Sequence, residues 1–211
     1  MKRIVIISTI ILLILAAGAY FVFSQEAKQI TNYPGAGIKI VAFGDSLIQG
    51  VGASGKDTTV VSVLSRKISR EIVNEGIGGN TTRDGLERID AMLKKYDPKL
   101  VILLFGGNDA LRKIPHEETF KNLGMMIEKI HNSGSMVLLL GIQGGFLRDP
   151  YKEDFEKLAR TYNVAYVPSV LKGILGKKEY MFDTIHPNDA GYIQMAEKIY
   201  PELEKLVKIR P

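Results

Sequence analysis

The chain contains no cysteine and no tryptophan among its 211 residues. Without cysteine, an anchor on a lipid-modified cysteine is impossible, and the protein must fold without disulfides in whichever compartment it occupies. Basic residues outnumber acidic ones by 28 to 23, but they form no cluster interleaved with aromatic residues. We therefore expect no nucleic-acid partner. With 24% charged and 45% hydrophobic residues, the composition is that of one globular domain with an apolar surplus.

The apolar surplus lies at the start of the chain, where Lys2 and Arg3 precede an apolar run over residues 4–23. About 20 apolar residues in a helix span roughly 30 Å of hydrocarbon. The pattern is typical of a membrane anchor or of a secretory signal peptide, and residues 17–19 resemble a cleavage site. Because the apolar run continues beyond these small residues, we favour an uncleaved anchor. The positive-inside rule then places the rest of the chain outside the cytoplasm.

Three segments follow from this pattern. Residues 1–24 are assigned to the transmembrane anchor or signal peptide, and residues 25–37, which are polar and rich in turn formers, to a linker. Residues 38–211 are assigned to a single folded domain.

From residue 38 onward, short apolar runs alternate with longer helical stretches. The apolar runs lie near residues 38–43, 72–73, 100–105, 136–141 and 164–167, and the helical stretches near 60–71, 83–96, 117–132, 152–162 and after Pro187. Two of the runs are apolar throughout, as expected for strands that are covered by helices on both faces. The sequence therefore predicts an α/β sandwich with a parallel sheet, in which ligands bind beyond the carboxyl ends of the strands.

The loop after the first predicted strand contains Gly44-Asp45-Ser46-Leu47, with further glycines close behind. A serine in such a turn can expose its hydroxyl as a nucleophile. It can equally serve as the N-cap of the following helix.

The loop after the second predicted strand is rich in glycine over residues 74–82. Gly79 can present a bare backbone N–H group to a substrate, although glycines in such loops often serve only the turn geometry. Phosphate binding is a further possibility, but neither the Walker pattern nor a dinucleotide fingerprint is present.

The third predicted strand is followed by Gly106-Gly107-Asn108-Asp109. The side-chain amide of Asn108 can donate a hydrogen bond to an oxyanion. The alternative interpretation is an ordinary polar cap at the end of a strand.

Near the carboxyl terminus, Asp183 and His186 lie three residues apart, just before the last helical stretch. In a loop, this spacing lets the carboxylate bind one ring nitrogen while the other nitrogen faces a nucleophile. Four strand-end signals, each supplying a different part of one reaction, are more specific together than any of them alone.

Taken in order, these motifs resemble those of the GDSL, or SGNH, hydrolase family, over the chain from about Ile38 to the last helix. Within the family, the chain most resembles the bacterial lysophospholipase, thioesterase and arylesterase group. The resemblance implies a flavodoxin-like three-layer α/β/α fold, a serine esterase activity on carboxylic esters or thioesters, and no metal or organic cofactor.

The resemblance also implies a role for each motif residue. Ser46 would attack the acyl carbonyl, His186 would take and return the proton, and Asp183 would orient His186. The oxyanion hole would consist of the backbone N–H groups of Ser46 and Gly79 and the side-chain amide of Asn108.

The substrate is expected to be a small acyl ester or a lipid. Ala110, Leu111 and Phe146 are candidates for binding its acyl group. An O-acetyl esterase acting on cell-wall or exopolysaccharide sugars is the alternative substrate class. A non-catalytic binding module on the same fold is a second class, and a nucleotide-binding domain would leave Asp183 and His186 without a role. The oligomeric state is left open.

Overall fold

The computed structural model describes residues 30–142 and 150–208. Within these residues, five parallel strands form one sheet in the order β2-β1-β3-β4-β5. The strands are β1 (Lys39–Gly44), β2 (Ile72–Gly76), β3 (Pro98–Leu104), β4 (Met136–Leu140) and β5 (Ala165–Val167). This is the strand order of flavodoxin-like sheets, in which β1 lies beside the point where the order reverses.

The helices alternate with the strands along the chain, as the pattern of apolar runs predicted. They are α1 (Ser46–Gln49), α2 (Val60–Ile68), α3 (Thr82–Tyr96), α4 (Gly107–Leu111), α5 (His116–Asn132), α6 (Pro150–Tyr162) and α7 (Asp189–Val207). Helices α2 and α7 pack together on one side of the sheet, while α5 packs between α3 and α6 on the other. The predicted parallel sheet with flanking helices is confirmed.

The core lies on both faces of the sheet, because alternate side chains of a strand point in opposite directions. One face packs against α3, α5 and α6 through fully buried residues: Val41, Phe43, Val101, Leu103, Val137, Leu139, Ile89, Leu123, Met126, Ile127, Ile130 and Phe155. Strands β3 and β4 have buried residues on both faces. This explains why their sequences are apolar throughout.

Side-chain caps set where α3 and α7 begin. The Thr81 side chain accepts from the Asp84 N–H group at the start of α3, and Asp84 accepts in return from the Thr81 N–H group. At the start of α7, the Asn188 side chain accepts from the Gly191 N–H group at 3.0 Å. Each cap satisfies an amide group that the first helical turn leaves free.

Residues 31–38 run along the amino-terminal edge of the sheet, opposite the strand ends that hold the sequence motifs. The Asn32 side chain donates to the carbonyl groups of His131 and Ser135, and the Ile38 N–H group donates to the carbonyl of Asp97 at 2.8 Å. The compact unit of the domain accordingly begins at Thr31.

In the part of the chain that the structure describes, no helix is both long enough and apolar enough to span a membrane. The apolar run over residues 4–23 lies outside those residues.

Candidate active site

Three polar side chains from distant parts of the chain meet at the carboxyl edge of the sheet. The Ser46 hydroxyl oxygen lies 3.0 Å from Nε2 of His186, and Nδ1 of His186 lies 2.7 Å from Oδ2 of Asp183. The three residues singled out from the sequence are thus joined in one row of hydrogen bonds. In this geometry the imidazole can accept the proton of the serine hydroxyl while its other nitrogen donates to the carboxylate.

The local fold leaves the Ser46 hydroxyl free for this contact. The N-cap of α1 is Asp45, whose carboxylate accepts from the Leu47 N–H group at 3.0 Å, and Ser46 is the first residue of the helix. The alternative interpretation of Ser46 as the helix cap is therefore wrong. Its backbone N–H group belongs to the first turn, where a helix supplies no backbone acceptor.

Asp45 is a buried carboxyl group directly beneath the site, with only 2% of its surface exposed. Burial raises the pKa of Asp45 to about 7, and the neighbouring charge of Asp109 acts in the same direction. The hydrogen bond from Leu47 and the charge of His186 oppose this rise. The folded protein therefore holds a proton on Asp45 at acidic pH that the unfolded chain would release.

A backbone hydrogen bond closes the loop that carries His186. The Phe182 N–H group donates to the carbonyl of His186 at 2.9 Å. Burial alone would raise the pKa of Asp183, but hydrogen bonds from the His186 ring and from the backbone N–H groups of Ile185 and His186 lower it to about 2. Asp183 is therefore a carboxylate at any physiological pH, as a partner for the imidazole requires.

The glycine-rich loop after β2 lies next to Ser46. A Cβ atom on Gly78 would lie 4.0 Å from the Ser46 Cβ and would collide with the Gln49 side chain. The backbone φ angle of Gly79 is +79°, a left-handed conformation that favours glycine. Its carbonyl accepts from the Arg112 guanidinium at 2.7 Å. The structure thus brings the candidate donor loop next to Ser46.

Asn108 lies at the start of α4, at the end of the third strand. Its amide nitrogen donates to the carbonyl of Asn80 at 2.9 Å, which fixes the orientation of the amide and leaves its second hydrogen available. The N-cap of α4 is Gly106. Asn108 is therefore not the N-cap of α4, whereas the neighbouring Asp109 accepts from the first N–H group of α3, as a polar cap does.

Asp109 ties this loop to the neighbouring helices. Its fully buried carboxylate accepts from the Thr82 N–H group at 2.9 Å and from the Thr82 hydroxyl, and it accepts from the Thr119 hydroxyl at 3.3 Å. The Asn122 amide completes the group by donating to the Thr82 hydroxyl at 3.2 Å. Asp109 thus links the first turns of α3 and α5 to the loop that carries Asn108.

A mainly apolar cavity of about 310 Å³ opens beside Ser46 and His186. Two of the three predicted acyl-binding residues, Ala110 and Leu111, line it, while Phe146 lies outside the described residues. Several other apolar lining residues were not predicted from the sequence: Leu47, Tyr151, Leu171, Leu175 and Ile185. Leu171 follows β5 closely, so applying the strand-end rule to the fifth strand would have found it.

The fold and the site define a hydrolase of the serine type, and comparison with known proteins specifies the family. Residues 42–193 match the model of the GDSL-like lipase/acylhydrolase family. The chain belongs to this family, and it is a serine hydrolase that acts on ester bonds.

Named relatives agree with this assignment. The chain is 33% identical to Esterase TesA of Pseudomonas aeruginosa over 80% of its length and 89% of the relative's. It is 27% identical to the thioesterase 1/protease 1/lysophospholipase L1 of Escherichia coli K12 over 80% and 84% of the two chains. The crystal structure of TesA superimposes with a TM-score of 0.76 at 30% identity, covering 81% of this chain and all of that one.

The buried carboxyl group of Asp45 predicts a pH-dependent stability difference. The stabilisation that the protonated group provides is fully present below about pH 4 and is lost as the pH rises through about 7. Asp45→Asn keeps an oxygen acceptor for the Leu47 N–H group but cannot ionise. We expect the variant to gain stability relative to wild type between pH 4 and 8, by on the order of a few kcal/mol, in urea unfolding.

Asp57→Asn is the matched control, because it removes the same formal charge from an exposed position. A change in the free energy of unfolding that both variants share reflects the loss of one negative charge. This shared change is subtracted from the effect of Asp45→Asn. A stability difference between Asp45→Asn and wild type that stays constant with pH would contradict the prediction.

Proposed function

We propose that this protein hydrolyses carboxylic esters or thioesters of apolar acyl groups by a Ser-His-Asp mechanism, outside the cytoplasm. The observation that carries the mechanism is the row of hydrogen bonds from the Ser46 hydroxyl through His186 to Asp183, at 3.0 and 2.7 Å. A serine hydroxyl is a weak nucleophile until a neighbouring base accepts its proton. His186 is placed to be that base.

The reaction proceeds in two halves. The Ser46 oxygen attacks the acyl carbonyl while Nε2 of His186 takes the hydroxyl proton, which gives a tetrahedral oxyanion. When the intermediate collapses, the bond to the leaving group breaks, and His186 returns the proton to the departing alcohol or thiol. Water then attacks the acyl-serine with the same proton transfers, which releases the carboxylic acid and restores Ser46.

The charge that develops on the carbonyl oxygen needs preorganised donors. The proposed oxyanion hole comprises the backbone N–H groups of Ser46 and Gly79 and the free hydrogen of the Asn108 amide. Removing one such donor typically lowers turnover by about 10²–10³. Asp183, which stays ionised, stabilises the imidazolium that forms in each half-reaction.

The shape of the cavity favours an acyl group longer than acetyl. A space of about 310 Å³ lined mostly by apolar side chains is far larger than an acetyl group needs. Each methylene group that it buries contributes about 0.8 kcal/mol. An O-acetyl group on a wall or exopolysaccharide sugar remains the second candidate, because Leu111 at the cavity is 61% exposed and leaves room for a bulky alcohol.

The serine mechanism is tested by hydrolysis of p-nitrophenyl butyrate by the purified full chain and by Ser46→Ala. We expect the variant to lose at least about 10³-fold in kcat, because no other group replaces the nucleophile. Ser54→Ala is the matched control, since its hydroxyl donates to Asp189 rather than to His186. Equal activity of wild type and Ser46→Ala would refute the mechanism, and inactivity of both on esters and thioesters would favour a binding module.

Acyl specificity is tested with p-nitrophenyl esters from acetate to octanoate. At about 0.8 kcal/mol per methylene, kcat/KM should rise about fourfold per added carbon until the cavity is full. Leu175→Phe should shift the optimum to shorter chains because it narrows the cavity. Ile193→Phe, on the exposed side of α7, is the control. Fastest hydrolysis of acetate, unaltered by Leu175→Phe, would support the O-acetyl alternative instead.

The location outside the cytoplasm rests on the apolar run over residues 4–23 and the two basic residues before it. We propose that this run is an uncleaved anchor. Fractionated cells should then contain the chain in the membrane at its full mass, and protease added to spheroplasts should degrade the domain. A soluble product shortened at about residue 19 would identify a signal peptide, and a protease-protected domain would place the enzyme in the cytoplasm.

A further inference from the structure

Arg88, on the side of α3 that faces the sheet, lies beneath the loops of the proposed oxyanion hole. Only 19% of its side chain is exposed. Its guanidinium donates through Nη2 to the carbonyl of Gly44 at 2.8 Å, through Nη1 to the carbonyl of Glu75 at 3.0 Å, and through Nε to Oδ1 of Asn80 at 2.8 Å. One side chain thus donates to three acceptors, of which two are carbonyls at the ends of β1 and β2 and one is an amide oxygen in the loop after β2.

The three acceptors lie close in the chain to the backbone donors of the site. Gly44 precedes Ser46 by two residues and ends β1, so its carbonyl fixes the direction in which the chain enters the nucleophile turn. Glu75 and Asn80 bracket the loop that carries Gly79. The Gly44 carbonyl also accepts from the Ile77 N–H group at 3.1 Å, which ties the glycine loop to β1.

The third donor is reached through one further hydrogen bond. Arg88 holds the side chain of Asn80, and the carbonyl of Asn80 accepts from the Asn108 amide at 2.9 Å. The orientation of the Asn108 amide, and so of its free hydrogen, therefore depends on where Asn80 is held.

Two aromatic rings fix the plane of the guanidinium. Its central carbon lies 4.1 Å from the ring centre of Phe43 and 5.7 Å from that of Phe105. Both rings are fully buried and pack edge to face. A planar cation on the face of an aromatic ring is stabilised electrostatically. Phe43 immediately precedes Gly44, and Phe105 immediately precedes the loop of Asn108, so the guanidinium contacts the ends of both central strands.

We propose that Arg88 is a positioning residue that holds the three oxyanion donors in register with one another. The inference rests on the proposed serine mechanism, which supplies the oxyanion. The planar fork of a guanidinium can reach acceptors on separate sides of the side chain at once, whereas the compact ammonium of lysine cannot. Each of the three donors lies within one short loop segment or one hydrogen bond of an acceptor that Arg88 binds.

An ion pair with Glu75 does not account for this arrangement. The Glu75 carboxylate is 4.0 Å from Nη1 of Arg88, while Nζ of Lys95 is closer to that carboxylate, at 3.6 Å. The three hydrogen bonds of the guanidinium go to two backbone carbonyls and an amide oxygen. A lysine would keep the charge but could not donate to all three acceptors at once.

Arg88→Lys, which retains the charge, is the test. We expect kcat for p-nitrophenyl butyrate to fall about 10–100-fold with KM within about threefold, because a misplaced oxyanion donor affects the transition state more than substrate binding. The affinity for an alkyl trifluoromethyl ketone, which forms an oxyanion on the serine, should weaken by a similar factor. Arg83→Lys, on the same helix but paired with Glu118 at the surface, should match wild type.

A double-mutant cycle with Asn108→Ala tests the route of the effect. Asn108→Ala alone is expected to reduce kcat about 10²–10³-fold. If Arg88 acts partly through Asn108, then Arg88→Lys must have a smaller effect in the Asn108→Ala background than in wild type. Fully multiplicative losses would overturn the proposal, and so would a kcat for Arg88→Lys within twofold of wild type or a loss confined to KM.

Asn80→Ala keeps the test decisive even if Arg88→Lys does not fold. This substitution removes the oxygen that accepts from Nε of Arg88, but it leaves the Asn80 carbonyl that binds Asn108. We expect a several-fold lower kcat with an unchanged KM. A kcat equal to that of wild type would overturn the proposal. Failure of the serine mechanism is recognised separately, because wild type and Ser46→Ala would then have equal activity.

Discussion

The hydrogen bond between Ser46 and His186 joins residues that are 140 positions apart in the sequence, and it depends on the sheet being parallel. In a parallel sheet every strand ends at the same edge, so the loop after the first strand and the loop before the last helix can meet there. The cap that Asn188 provides for α7 fixes where the second of these loops ends. The catalytic geometry is therefore a property of the topology as much as of the motifs.

Two carboxyl groups, Asp45 and Asp109, are buried at this edge of the sheet, and burying them is unfavourable in free energy. Each is almost inaccessible to water, and burial of a carboxylate is unfavourable unless hydrogen bonds compensate for it. Asp109 has such bonds from Thr82 and Thr119. At Asp45, burial outweighs the backbone hydrogen bond from Leu47 and raises the pKa. The buried Asp45 thus lowers local stability beneath the proposed nucleophile, Ser46, where a fixed geometry matters most.

The parts of the site that the sequence predicted share one property, which is that each follows an apolar run or precedes the last helix. Ser46 and Asn108 come directly after buried strands, and the structure places both beside the cavity. Only the structure rejects their alternative roles as caps, because the choice between Asp45 and Ser46 as N-cap depends on one backbone turn. Leu175 was missed since its part in the cavity follows from where the chain turns after β5.

Arg88 shows why other parts of such a site escape a sequence pattern. A cation in the middle of an amphipathic helix has the same signature whether it is solvated or turned toward the strand ends. Carbonyl groups at the ends of the strands can accept a further hydrogen bond from a side chain, because each carbonyl oxygen has two lone pairs. In this protein one guanidinium supplies donors to two of those carbonyls, at Gly44 and Glu75. A half-buried cation beneath the carboxyl edge thus adds hydrogen bonds to strand ends that lie beside the site.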